Sequence, residues 1–215
     1  MTLSALRTLA KSAIALVAFA AFATTASAEL VEGKNYVRLP NPQPVETGKK
    51  IEVLEFFSYG CPHCAALEPY LDKWLEKLPP DVAFRRVPVM FQQRWVALAK
   101  IYYTLDALGK TDLSPDVFKA IHELGSPLWD TKAFLDWAAS KGLDRKKVED
   151  VYSSFAIDGK VKRAMQLAQQ YQIQAVPTVV VDGKFLTSSD RVGTHSNLPG
   201  AIDELVAKAR AERKS

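Results

Sequence analysis

Apolar residues run almost without a break through Ile51-Glu52-Val53-Leu54-Glu55-Phe56-Phe57, a β-rich stretch that stops at Ser58-Tyr59-Gly60. That composition and boundary predict a strand. Over residues 61–78 the spacing changes. Leu67, Leu71, Trp74, Leu75 and Leu78 recur every three or four positions, and Pro79-Pro80 closes the run. This periodicity predicts a helix. Residues 82–89 read as a second strand, so the three elements together predict a parallel βαβ unit. Upstream, residues 29–50 form a polar arm with Pro40, Pro42 and Pro44, in which only 36–39 suits a short edge strand.

Helical spacing then dominates. Residues 94–108, 114–124, 131–140, 144–154 and 159–171 each read as a helix, with Ser114-Pro115 as a favourable helix start. No strand interrupts these roughly 75 residues, which predicts a helical insertion. Strand chemistry returns at 177–181. Asp182-Gly183 signals a two-residue hairpin, 184–186 is the return strand, and a last helix covers 198–213. The fold class expected is α/β, with a helical domain inserted between a βαβ unit and a C-terminal ββα unit. The expected limits are 29–91 and 157–215 for the sheet domain and 92–156 for the insertion.

The first 28 residues follow a different pattern. Arg7 and Lys11 precede an apolar run over 12–23, Ala26-Ser27-Ala28 follows, and no acid occurs before Glu29. This is the order of a cleavable signal peptide. The rival is a membrane anchor, but the apolar run is short of the roughly 20 residues a spanning helix needs. Cleavage near Ala28 leaves 187 residues, with 26 basic side chains against 24 acidic ones. So small an excess gives no reason to expect nucleic acid or an anionic membrane as partner. The basic residues over 208–214 alternate with alanines and Glu212, as in a solvated helix end. No feature calls for an oligomer, and a monomer is expected.

Cysteine usage narrows the chemistry. Cys61 and Cys64 are the only two cysteines. A bridge between them closes a tiny loop and restricts the unfolded chain far less than a long one. A reactive pair is therefore a better reading than a structural staple. The pair follows a strand and opens a helix, which puts both sulfurs on one helix face. Pro62 suits the first turn, where its missing N–H costs nothing. Cys61 meets the positive end of the helix, which favours thiolate over thiol, and His63 can add charge or a hydrogen bond. Stabilising the thiolate stabilises the reduced form and makes the disulfide a stronger oxidant. A metal site is the bland alternative. Zinc wants four ligands, whereas His63 is poorly placed and His122 and His195 have no motif around them. No metal and no cofactor are expected. His122 and His195 are read as ordinary residues.

With Val53-Leu54-Glu55-Phe56-Phe57-Ser58, then Cys61-Pro62-His63-Cys64, then Val176-Pro177-Thr178, the chain resembles the DsbA family of periplasmic thiol:disulfide interchange proteins. The likeness extends over essentially all of residues 29–215. It implies a thioredoxin fold carrying the helical insertion. It implies a dithiol oxidase that donates its disulfide to newly exported proteins with free cysteines. Reoxidation would come from a quinone-linked membrane partner of the DsbB type. The resemblance also implies that Pro177 is cis, facing the redox pair, with the Val176 backbone pairing with an extended substrate. Glu55 matches the family's buried acid and shares a strand face with Ile51, Val53 and Phe57, so its pKa should be raised by burial. The bland reading is a strand end at which Glu55 reaches solvent. Arg86, where the family commonly carries lysine, is its candidate partner. Tyr59, Met90, Phe91 and Trp95 are candidates for an apolar client surface or for core.

Two rivals remain. A reductase or isomerase of the same superfamily is one, although reductive relatives usually place tryptophan where this chain has Gly60 and DsbC-type isomerases carry a longer N-terminal domain. A non-redox holdase or copper-binding protein is the other.

Overall fold

A computed structural model describes residues 29–214, so the signal peptide expected over 1–28 lies outside the described residues. The elements are β1 (Val37–Arg38), β2 (Ile51–Phe57), α1 (Pro62–Leu75), β3 (Val82–Pro88), α2 (Gln93–Ala107), α3 (Ser114–His122), α4 (Thr131–Ser140), α5 (Arg145–Tyr152), α6 (Phe155–Gln170), β4 (Thr178–Val181), β5 (Phe185–Thr187), α7 (Ser189–Val192) and α8 (Leu198–Glu212). Among the described residues, no helix is long and apolar enough to cross a membrane.

The strands form one mixed sheet in the order β1-β5-β4-β2-β3. β2 and β3 run parallel, as the βαβ pattern predicts, with Ile51 opposite Val82 and Glu55 opposite Arg86. β4 lies antiparallel on the other side of β2, pairing Glu55 with Val179 and Phe56 with Thr178. That register brings the start of β4 beside the end of β2. It therefore puts Val176-Pro177 next to the turn that leads into Cys61.

All seven residues of β2 are buried. One face of the sheet packs Val53, Val179 and Val181 against Leu67, Leu71 and Trp74 of α1 and Ile202 and Leu205 of α8. The other packs Leu54, Phe56, Val87 and Val180 against Ala164 and Leu167 of α6. Helices cover both faces, which is why the strand reads as a nearly continuous apolar run and not as an alternation.

The insertion contributes a third cluster. Phe57, Tyr59, Cys61 and Cys64 join Trp95, Leu98, Tyr102, Phe118 and Phe134 in it. The redox pair thus lies in the seam between sheet and inserted helices. Two helix starts differ from expectation. α6 begins at Phe155 rather than 159, because the Ser154 hydroxyl caps it by accepting from the Ile157 N–H at 3.4 Å. The domain boundary drawn at 157 falls in the first turn of this helix. Ser114 lies inside α3 and does not cap it, its hydroxyl pairing with that of Tyr59 at 2.7 Å. α7 was not anticipated, being one short turn without a periodic pattern.

The β4–β5 turn has Asp182 at φ 55° and Gly183 at φ 64°, the pair of left-handed conformations a type I′ hairpin requires. A Cβ on Gly183 would stand 2.1 Å from the Gln43 carbonyl oxygen. Gly183→Ala should therefore cost about 1–3 kcal/mol through strain and collision. The check is a lowered urea midpoint at unchanged slope; an unaltered midpoint would show that the arm moves aside freely.

Candidate active site

Three hydrogen bonds set the entry to the redox helix. Cys61 N–H donates to the Ser58 carbonyl at 3.0 Å, and Gly60 N–H donates to the Ser58 hydroxyl at 3.1 Å. The Tyr59 carbonyl accepts from His122 Nε2 at 2.8 Å. This delivers Cys61 to the N-cap of α1 with an extended backbone, φ −98° and ψ 118°, and Pro62 follows in the first turn. Both cysteines are free and buried, Cys61 to 6 % exposure and Cys64 to 1 %. The Cys61 thiol donates to the Val176 carbonyl at 3.4 Å, and the Val176–Pro177 bond is cis.

The two sulfurs differ sharply in acidity. Cys61 is pulled from an ordinary value of 9.0 to about 6, first by the hydrogen bond from the Cys64 thiol. Burial opposes the shift, while the backbone N–H groups of Cys64 and His63 and the charge of His63 add to it. As a thiol, Cys61 makes no capping hydrogen bond; as a thiolate it takes up those orphan helix donors. Cys64 moves strongly the other way, through burial first, then through Cys61 and the nearby Glu55 carboxylate.

Beneath Cys64 lies a buried charge cluster. Glu55 is 1 % exposed, which excludes the strand-end reading. Arg86 Nε donates to Glu55 at 2.8 Å, and its two terminal nitrogens grip Glu68 at 2.9 and 2.8 Å. One cation cannot neutralise two desolvated carboxylates. Burial therefore raises Glu55, and lifts Glu68 to about 7, despite the attraction of Arg86. Burial also works against the Arg86 charge, but the two carboxylates outweigh it and raise its pKa.

Residues 81–198 match the family model of the DSBA-like thioredoxin domain. The thiol:disulfide interchange protein DsbA of Bordetella parapertussis is 41% identical over 199 residues, covering 92% of this chain and 95% of the relative. DsbA of Pseudomonas aeruginosa is 42% identical over 183 residues, covering 85% of this chain and 87% of the relative. The crystal structure of Pseudomonas aeruginosa DsbA superposes with a TM-score of 0.83 at 41% identity, over 86% of this chain and 97% of that one. The chain belongs to the DsbA family. It is a thiol–disulfide oxidoreductase with a thioredoxin fold. Because the model match begins after the redox motif, the place of Cys61 and Cys64 in this DsbA-family chain rests on the geometry above.

Sequence reasoning passed over three members of this DsbA-family site. Glu68 lies on the buried stripe of α1 with Cys64, Leu67 and Leu71, and an acid at such spacing was the available signal. His195 has its ring 5.9 Å from that of His63 and is held by Ser189 Oγ at 2.7 Å. His122 reaches the Tyr59 carbonyl from the insertion. No sequence motif marks either histidine. Of the apolar candidates, Tyr59 and Trp95 are core, Met90 is half-buried, and Phe91 is exposed. Trp95 closes over Gly60, where an added Cβ would stand 2.4 Å from its Nε1. A bulky residue before Cys61 has no room unless Trp95 moves.

Thiolate absorbance of the reduced protein should rise with a midpoint near pH 6. Cys64→Ala should move that midpoint up more than His63→Ala, because the Cys64 thiol is the main donor to the thiolate. A larger effect of His63→Ala would overturn that order. The folded value lies below the ordinary one, so the stabilisation of the reduced form is present above about pH 9 and is lost as pH falls through about 6.

The carboxylates act in the opposite sense. A raised folded value means that the Glu68 contribution is present below about pH 4.5 and lost as pH rises through about 7. Arg86→Met should cost about 3–5 kcal/mol near pH 7.5 and clearly less near pH 4.5, where the orphaned acids are protonated. Urea melts of the oxidised protein, in which neither cysteine titrates, give both values. Equal losses at the two pH values would contradict the charge-sharing account.

Proposed function

We propose that this thiol–disulfide oxidoreductase works in the oxidising direction, donating the Cys61–Cys64 disulfide to newly exported proteins with free cysteines. The observation that carries this reading is the opposed acidity of the two sulfurs, with Cys61 held at about 6 and Cys64 pushed well above the ordinary thiol value. A substrate thiolate attacks the Cys61 sulfur, the Cys61–Cys64 bond breaks, and Cys64 leaves with the electron pair. A second substrate thiolate then attacks the substrate sulfur of the mixed disulfide. Cys61 departs as a thiolate, and its low pKa makes that departure fast. The substrate gains a disulfide and the enzyme is left reduced.

Other roles follow from position. His63 supports the Cys61 thiolate, and Pro62 starts the helix. The Val176 carbonyl, 3.4 Å from the Cys61 sulfur, is the backbone group nearest to hand for an extended substrate strand beside Pro177. Glu55, whose charge acts on Cys64, takes or returns the proton of that sulfur when it leaves or attacks. Reoxidation by a quinone-linked membrane partner of the DsbB type completes the cycle. We place the protein in the periplasm after removal of residues 1–28. The order of basic, apolar and small residues there supports this, as does family membership.

The reductase rival places tryptophan before the first cysteine. Trp95 already occupies the space over Gly60, which favours the oxidase reading. Equilibration of the Cys61–Cys64 couple with glutathione buffers is the test. A potential well above the roughly −270 mV of thioredoxin is expected, with Cys61→Ala abolishing exchange. A thioredoxin-like potential would move the protein to the reductase class. Exchange-independent client binding or tight copper uptake would favour the holdase or copper-binding rival.

A further inference from the structure

The Tyr59–Gly60 peptide plane stands one peptide before the exchanging cysteine, and it is held on both edges. Its N–H donates to the Ser58 hydroxyl at 3.1 Å. Its carbonyl accepts from His122 Nε2 at 2.8 Å, and no other group among the described residues donates to it. A carbonyl can only accept, so Nε2 carries the hydrogen, in the neutral ring or the imidazolium alike. The side chain of Tyr59 is anchored to the same helix, its hydroxyl on Ser114 and its ring 5.0 Å from that of Phe118. The His122 ring lies nearly parallel to that of Phe118, at the end of α3. Gly60 supplies no side chain to resist rotation, and the Trp95 ring lies against it where a Cβ would stand.

We propose that His122 is a positioning residue for the redox centre: through the Tyr59 carbonyl it locks the Tyr59–Gly60 peptide, from which the chain enters the helix cap at Cys61, and so lets the inserted helices set the geometry of the exchanging sulfur. Without this bond the carbonyl must turn to find water, because a buried unpaired acceptor is costly. The rotation carries Gly60 with it and spreads the distances between the Cys61 sulfur and the N–H groups of His63 and Cys64. Thiolate stabilisation by fixed donors depends on those distances, and a site loosened by a fraction of an ångström loses part of it. His122 is exposed and belongs to no apolar cluster, so its replacement should leave the global fold intact.

The inference deepens the oxidase reading and rests on it for its functional meaning. Its test does not require turnover. Thiolate absorbance is titrated on the reduced full chain of the wild type, His122→Ala and His122→Gln, with urea melts of the oxidised forms alongside. Glutamine keeps an N–H at similar reach. In His122→Ala the midpoint should rise, with a threefold to tenfold weaker thiolate, that is about 0.5–1 pH unit. In His122→Gln it should return close to the wild-type value, while both variants unfold near the wild-type midpoint. An unchanged midpoint in His122→Ala overturns the proposal. So does a His122→Gln variant that folds but titrates like His122→Ala. The wild-type glutathione equilibrium is judged separately. A reducing potential there removes the oxidase reading and leaves the role of His122 standing.

Discussion

An α-helix begins with backbone N–H groups that have no partner within the helix. At α1 the residue in the cap position is Cys61, whose side chain carries no oxygen to satisfy them. Ionisation supplies the missing acceptor. The same donors that leave the helix end unsatisfied over a thiol become a cradle for a thiolate, and the Cys64 thiol is the first contributor to the lowered Cys61 pKa. The chemistry of the protein follows from this constraint. Reduction of the disulfide gives the helix end the acceptor it lacks, so the donors around Cys61 favour the reduced form over the same couple without them.

A second constraint lies under the other sulfur. Arg86 joins β3 to β2 through Glu55 and to α1 through Glu68. It is the cation common to both acids. Two desolvated carboxylates around one guanidinium leave the cluster inclined to hold a proton near neutrality. Cys64 feels the charge of Glu55 directly. The asymmetry of the couple is thus built from both ends, with donors at Cys61 and burial, reinforced by negative charge, at Cys64. Such a cluster is kept for its charge and not for packing, since apolar side chains of similar volume often pack at least as stably as a buried ion cluster.

The inserted helices are more than a lid on the sheet. Their apolar cluster includes both cysteines together with Phe57 and Tyr59. Trp95 fills the space over Gly60, and α3 holds Tyr59 by its hydroxyl and its carbonyl. A glycine at 60 is needed because the Trp95 ring lies where a Cβ would be. Gly60 adds no side chain to fix the loop, and contacts from the insertion join the Ser58 hydrogen bonds in holding it.

Much of this could be read from local pattern. Strand β2, helix α1, the parallel return, the Asp182-Gly183 hairpin and the long helical stretch follow from periodicity and turn chemistry, which are properties of neighbouring residues. The redox pair is local too, because its spacing and its place at a helix start suffice to mark it. What needed the tertiary structure depends on residues distant along the chain. Glu68 became part of the site only when β3 brought Arg86 beneath it. His122 and His195, which carry no motif, became neighbours of the redox centre through packing of α3 and of the loop before α8. Ser114 looked like a cap and instead holds a tyrosine more than fifty residues away. Sequence pattern determined which group reacts, because helix capping and disulfide geometry act over a few residues. The tertiary structure decided how that group is tuned, because burial, shared charges and the anchoring of a flexible peptide are set by whatever the folded chain brings alongside.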